Sequence, residues 1–134
     1  MGITENYLEL YQTARKAAAA AYAPYSAFCV GAALLAASGT VYTGVNIENA
    51  SYPVGLCAER SAFAKAVTAG ERDFLAIAIY GSSGDGDAGA CWPCGMCRQF
   101  MYEFAPQLAI VTGADEDHLE TAVLSDLLPK GFTL

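Results

Sequence analysis

Positive charge is scarce in this chain. Its 134 residues carry 7 Lys and Arg against 14 Asp and Glu, for a formal net charge of −7 and an isoelectric point near 4.4. No basic cluster is available to neutralise phosphates and release their counterions, which excludes nucleic acid as an expected partner. There is also no Gly-rich phosphate cradle beside the motifs described below, so an uncharged small molecule is the expected substrate. Histidine is nearly missing too. The single copy, His118, follows Asp115-Glu116-Asp117 and reads as a solvated surface residue. Lacking a second histidine, the chain offers no Ser-His or Cys-His pair for acyl transfer, and its chemistry has to run through other groups.

Long apolar runs are absent as well. The Ala-rich stretch at residues 17–23 follows Arg15 and Lys16 and is far too short to span a bilayer. With no secretory signal visible, the expectation is a cytoplasmic protein without membrane contact. The cysteines number 5 (Cys29, Cys57, Cys91, Cys94 and Cys97), an odd count that argues for metal binding or free thiols over a disulfide framework.

What the chain does have is core-forming material, 54% of its residues being hydrophobic, enough for one domain over residues 1–134. Apolar positions Tyr7, Leu8, Leu10, Tyr11 and Ala14 predict a helix from Thr4 to about Tyr22, with Thr4 as N-cap and Pro24 closing it. Residues 28–36 and 40–45 predict a hairpin about Ala37-Ser38-Gly39, and 46–55 a binding loop. A helix is expected over 58–69, a buried strand over 74–80, a flexible connection over 81–90 and a helix over 94–104. Strands follow over 108–112 and, more weakly, 118–121. The order α-β-β-α-β-α-β-β predicts a three-layer α/β/α fold with a five-stranded mixed sheet.

On this layout Cys57 opens one helix, while Cys94 and Cys97 occupy the first turn of another. Helix N-termini favour thiolate over thiol, and three thiolates can hold zinc with its fourth position open to water. Glu59, two residues past Cys57, is placed to take a proton from that water. Cys57-Ala58-Glu59 with Pro93-Cys94-Gly95-Met96-Cys97 therefore has the known zinc-deaminase pattern in its three-cysteine form. Three thiolates put excess negative charge on the site, and Arg60 and Arg98 are the candidates to offset it by hydrogen bonding. Two alternatives stand beside this reading. One is a closed four-cysteine zinc site with Cys91 as fourth ligand, which would leave Glu59 without a task. The other is a redox Cys94-x-x-Cys97 pair, which leaves Cys57 and Glu59 unexplained. In the loop before Cys57, Asn46 and Glu48 stand two apart and share a face in an extended segment, suited to hydroxyl groups such as a sugar diol.

Taken together, Ala23-Pro24-Tyr25-Ser26-x-Phe28-x-Val30-Gly31-Ala32, Gly44-Val45-Asn46-Ile47-Glu48-Asn49-Ala50, Cys57-Ala58-Glu59-Arg60, Pro93-Cys94-Gly95-Met96-Cys97-Arg98-Gln99 and the tail Leu127-Leu128-Pro129-x-x-Phe132 closely resemble the short zinc-dependent cytidine deaminases. The resemblance implies one zinc ion on Cys57, Cys94 and Cys97, Glu59 as proton shuttle, and the backbone of Ala58 helping to hold the base. It further implies that Asn46 and Glu48 bind the ribose 3′-hydroxyl and that Phe28 packs beside the nucleoside. It also implies a homotetramer whose sites are completed across subunits, with Tyr52 and Phe132 coming from neighbouring chains. The expected reaction is hydrolytic deamination of free cytidine and 2′-deoxycytidine in pyrimidine salvage. A relative acting on a cytosine-containing antibiotic or on the free base is the rival within the class. Cys29 and the Cys91-Trp92 step depart from the usual pattern.

Overall fold

The computed structural model describes residues 3–83 and 86–134. In chain order, α1 (Ile3–Ala17) tightens into a 3-10 turn (Ala18–Ala20) and is followed by β1 (Cys29–Ala36) and β2 (Val41–Val45). A 3-10 turn (Tyr52–Val54) interrupts the next loop before α2 (Ala58–Thr68), β3 (Phe74–Ser82), α3 (Gly95–Tyr102), β4 (Ala109–Gly113), β5 (Leu119–Val123) and α4 (Leu124–Leu127). The five strands form one mixed sheet in the order β2-β1-β3-β4-β5, with β3 and β4 parallel and the other neighbours antiparallel. This is the expected three-layer α/β/α arrangement. Among the described residues no helix is long and apolar enough to cross a membrane.

Side-chain alternation along the strands separates the two helical layers. On one face, Leu10, Tyr11 and Ala14 of α1 pack over Ala33, Ala76, Ala78, Tyr80 and Val111. On the other, α2 and α3 cover Ala32, Leu34, Ile77, Ile79 and Ile110 through Ala62, Phe63, Cys97 and Met101. With both faces covered, β3 is buried along nearly its whole length, which is why its sequence reads as a continuous apolar run. Phe63 joins the two helices of the second layer, stacking at 4.7 Å from Phe74, 5.7 Å from Phe104 and 6.1 Å from Phe100.

Several boundaries differ from the sequence expectation. The first helix stops well short of Tyr22, and Thr4 lies inside it, one residue past its start. Tyr22 is instead extended: its N–H donates to Asn46 O at 3.0 Å and its carbonyl accepts the Glu48 N–H at 2.8 Å. Pro24 and the residue before it resist helical geometry, and these two bonds offer the chain a better partner. β3 runs on to Ser82, where it pairs with Cys29. Gly84 and Asp85 of the expected flexible connection lie outside the described residues. The last strand is shifted to Leu119–Val123 by its register with β4, from Gly113↔Leu119 to Ala109↔Val123.

Two close approaches bring the helices down onto the sheet. A β-carbon on Gly31 would stand 2.0 Å from the carbonyl oxygen of Ala14 in α1, and one on Gly44 would stand 2.4 Å from both Ala58 O and Ala62 N in α2. Backbone fills the space a side chain would need, so Gly44 sets how deeply the first turn of α2 can sit. Gly44→Ala is expected to destabilise the fold by about 1–3 kcal/mol, the usual scale of overpacking. It should also weaken metal retention, because the displaced turn carries Cys57. Denaturant midpoint and chelator competition on the same variant check both effects.

Candidate metal centre and active site

Cys57 and Cys94 hold equivalent positions. Each is the N-cap of a helix, α2 and α3 respectively, with extended backbone (φ −77°, ψ 154° and φ −68°, ψ 166°) and no side-chain capping bond of its own. Cys97 lies in the first turn of α3 and is fully buried. The three sulfur atoms all lie within 4.8 Å of one another. Zinc–thiolate bonds of about 2.3 Å in tetrahedral geometry put sulfurs about 3.8 Å apart, so the set fits that cation with small side-chain rotations. Cys91 stands outside this cluster, and burial pushes its thiol up to about 11. The four-cysteine alternative therefore lacks its fourth ligand.

The electrostatics of the cluster suit a cation. Cys57 is pushed down to about 5, first by the hydrogen bond from the Cys97 thiol and further by Arg60. Cys97 is driven far up for the complementary reason: it keeps its proton to donate it to the Cys57 thiolate. A dication in place of that shared proton lets all three sulfurs ionise. Arg60 directs Nη2 at Cys57 Sγ (3.6 Å) and Gly55 O (3.5 Å), and its Nε is buried with no hydrogen-bond partner. A half-buried guanidinium with an unspent Nε donor is suited to an anionic sulfur cluster. Arg98 behaves otherwise. Its Nε donates to Pro93 O at 2.7 Å and its Nη1 to Leu127 O at 2.8 Å, so it ties the Pro-Cys-Gly turn to the tail and spends those donors on carbonyls, not sulfur.

Glu59 follows Ala58 in the first turn of α2 and is only 5% exposed, the one buried carboxylate among the described residues. Burial pushes it up to about 7, and the neighbouring Cys57 charge adds to the shift. Such a group can take and return a proton near neutral pH. His118, in contrast, is exposed and bonds Asp115 at 2.8 Å.

A cleft of about 600 Å³ opens above the cluster, lined by Asn46, Glu48, Tyr52, Cys57, Arg60 and Cys94 among others. Its loop is pinched shut at the base by Ile47 and Leu56, which exchange backbone bonds of 2.8 and 2.9 Å. Phe28 is not among the residues lining the cleft; its ring packs near Gly81, where a β-carbon would meet it at 2.9 Å. Phe132 is held from behind, its carbonyl accepting Gln99 Nε2 at 2.8 Å and its N–H donating to Gln99 Oε1 at 3.2 Å, while 66% of the residue stays exposed. Tyr52 is 77% exposed.

Sequence reasoning missed Thr112. This fully buried residue donates its hydroxyl to Ile79 O (2.9 Å) and accepts the Cys91 N–H (2.8 Å), anchoring the segment that leads to Cys94 on the ends of β3 and β4. A threonine in a strand normally signals β-propensity alone, so nothing in the sequence marked it.

Residues 4–113 match the cytidine and deoxycytidylate deaminase zinc-binding region. The chain belongs to that family. It is 45% identical to the cytidine deaminase of Sporosarcina psychrophila over 127 residues, 93% of this chain and 90% of that protein. Identity to the Halalkalibacterium halodurans cytidine deaminase is 43% over 125 residues, 92% of each chain. Among solved structures, the cytidine deaminase of Burkholderia pseudomallei superposes with a TM-score of 0.85 at 43% identity, covering 92% of this chain and 97% of that one. As in the family, the centre formed by Cys57, Cys94 and Cys97 is a zinc site. Within this deaminase domain Thr112→Val should cost about 1–3 kcal/mol, because it strands the Cys91 N–H in the interior. It should also speed zinc loss to a chromogenic chelator; unchanged stability and release would show that the bond carries no load.

Proposed function

We propose that the chain is a zinc-dependent hydrolase that deaminates free cytidine and 2′-deoxycytidine to uridine and 2′-deoxyuridine, releasing ammonia. The observation that carries this reading is Glu59, the single buried carboxylate among the described residues, two residues beyond Cys57 at the head of α2 and beside the three-thiol cluster. The cation, when bound, supplies a Lewis acid that lowers the pKa of water toward neutrality. Glu59 takes up the proton lost as the water oxygen bonds to C4 of the base, and delivers it to N3. The second proton of the water travels through the same carboxylate to the amino group, the C4–N bond breaks, and ammonia leaves. Glu59 ends the cycle ionised, as it began. The Ala58 backbone, in the same turn, helps to hold the base.

The sugar end reads as a grip on one hydroxyl. Asn46 already spends its amide on Phe28 O (2.8 Å) and the Val30 N–H (2.9 Å), leaving one N–H and one lone pair. Glu48 already accepts from the Tyr25 N–H, the Ser26 N–H and the Ser26 hydroxyl, leaving about one of its four acceptor sites. What remains suits the 3′-hydroxyl, donating to Glu48 and accepting from Asn46. Ribose and 2′-deoxyribose then serve alike, and a free base has nothing to offer these groups.

Residues 1–134 act on this reading as one catalytic domain, returning nucleosides to the uridine pool in the cytoplasm, within a homotetramer. Exposed aromatic and apolar side chains, those of Tyr25, Tyr52 and Met96 at the cleft and those of Val54 and Phe132 beyond its lining, support burial against further copies of the chain. In that assembly Tyr52 and Phe132 complete neighbouring sites, Phe132 stacking on the pyrimidine.

Loss of cytidine absorbance on adding the zinc-loaded protein tests the activity. Glu59→Gln should keep fold and zinc yet lower kcat by about 10²–10⁴-fold, the contribution of a positioned acid-base group; a variant that stays active would remove Glu59 from the mechanism. Phe132→Ala should raise KM about 2- to 10-fold with the melting temperature unchanged, on the scale of one aromatic stacking contact. An unaltered KM would defeat the cross-subunit stacking.

A further inference from the structure

The two residues at the sugar end of the cleft also hold Phe28, each by a different backbone group. Asn46 Nδ2 donates to the Phe28 carbonyl at 2.8 Å. Glu48 reaches the Phe28 N–H through one intermediary: its Oε2 accepts the Ser26 hydroxyl in a short hydrogen bond, and Ser26 Oγ in turn accepts the Phe28 N–H at 3.0 Å. The other oxygen of Glu48 accepts the amides of Tyr25 (2.9 Å) and Ser26 (3.1 Å). Between Ser26 and Phe28 stands Ala27 with φ +61°, a left-handed conformation that a residue with a side chain keeps only when its surroundings impose it. The Ala27 N–H bond to Ala23 O (3.0 Å) and the Ser26 bond to Phe28 are what impose it.

A hydroxyl has one proton, and here its direction is set. Facing a carboxylate, Ser26 must donate to Glu48, which turns a lone pair toward the Phe28 N–H. That hydroxyl is the first cause of Glu48 lying below the usual carboxylate range, ahead of the two amides and against partial desolvation. Removing it leaves the Glu48 carboxylate less firmly held and the Phe28 amide free at the same time.

We propose that Ser26 is a positioning residue that couples hydroxyl recognition at Glu48 to placement of the Phe28 ring, so that the sugar and ring sides of the cleft bind as one unit. The inference rests on the nucleoside deaminase reading, in which Glu48 and Phe28 touch substrate. It distinguishes Ser26 from an ordinary turn residue, because a turn residue would set stability without linking the two ends of a ligand.

The test is steady-state kinetics on the zinc-loaded enzyme with cytidine, together with calorimetric binding of uridine, which needs no turnover. Ser26→Ala should raise KM and the uridine Kd about tenfold, the scale of one lost hydrogen bond to a charged group, with kcat within about twofold. Ser26→Thr, which keeps the hydroxyl, should restore both to within about twofold of wild type by the same reckoning. In a Phe28→Leu background, Ser26→Ala should add clearly less than about tenfold, since the ring it positions is gone and only its hold on Glu48 is left to lose. A full tenfold effect in both backgrounds, an unchanged KM in Ser26→Ala, or no rescue by threonine would overturn the coupling. Should Glu48→Gln and Phe28→Leu themselves leave KM and uridine affinity unchanged, the nucleoside reading of these residues falls and the coupling with it. If those two variants raise KM while Ser26→Ala does not, the coupling alone fails.

Discussion

Two helix N-termini, those of α2 and α3, meet at one cluster of sulfur atoms, and most of the chain is arranged so that they can. Each helix contributes a cysteine at its cap, where backbone N–H groups lack intrahelical partners and the dipole favours negative charge. The helices reach that point from different parts of the sheet. α2 rests on Gly44 of β2, where its backbone touches the strand without an intervening side chain. α3 connects the parallel neighbours β3 and β4, which Thr112 locks to the incoming segment. Phe63, wedged among Phe74, Phe100 and Phe104, fixes the two helices against each other below the site. Small residues above and aromatic residues below are thus two parts of one solution, close approach where chemistry is needed and bulk where it is not.

Charge sets the second constraint. Three thiolates and a carboxylate in a partly buried space repel one another strongly, and the side chains by themselves answer with a hydrogen bond: Cys57 is pushed down, Cys97 up, and Glu59 up. A zinc ion neutralises two of the thiolate charges, and Arg60 is positioned to offset the third. The arginine beside the other ligand pair, Arg98, binds carbonyls and so belongs to the mechanics of the tail. Similar residue types one position past a ligand motif do different work because of what lies within reach.

The sequence made the metal centre legible because its signal is local: ligand spacing within a helix turn, and a carboxylate two residues from a cysteine. The sheet was legible for a related reason, since alternation and apolar runs mark strands whatever they pair with. Legibility stopped where partners are distant in the chain. The end of the first helix depended on Tyr22 finding the loop at residues 46–48, and the shift of the last strand depended on β4. Thr112, Ser26 and Gln99 act through bonds to residues 21, 22 and 33 positions away respectively, which no local pattern records. The local partners of Asn46 and Glu48 were hidden in the same way, since the backbone groups that use part of their hydrogen-bonding capacity come from residues 25–30.

On the proposed mechanism, the layers also divide the labour between turnover and binding. Glu59 and Cys97 are buried in the packed second layer, where a change of position would disturb the core. The cleft wall is different: residues 24–28 and 46–56 are largely exposed and keep their shape through hydrogen bonds between loops, above all those converging on Glu48 and Asn46. Polar contacts at the surface are individually weak, so their order depends on acting together. A ligand hydroxyl that joins the same network at Glu48 adds one more bond to it, tightening the wall that surrounds the ligand. On this argument substitutions in the wall act mainly on affinity, whereas those at the heads of α2 and α3 act on the metal and the proton, and a shift of function in this scaffold is most easily made in the wall.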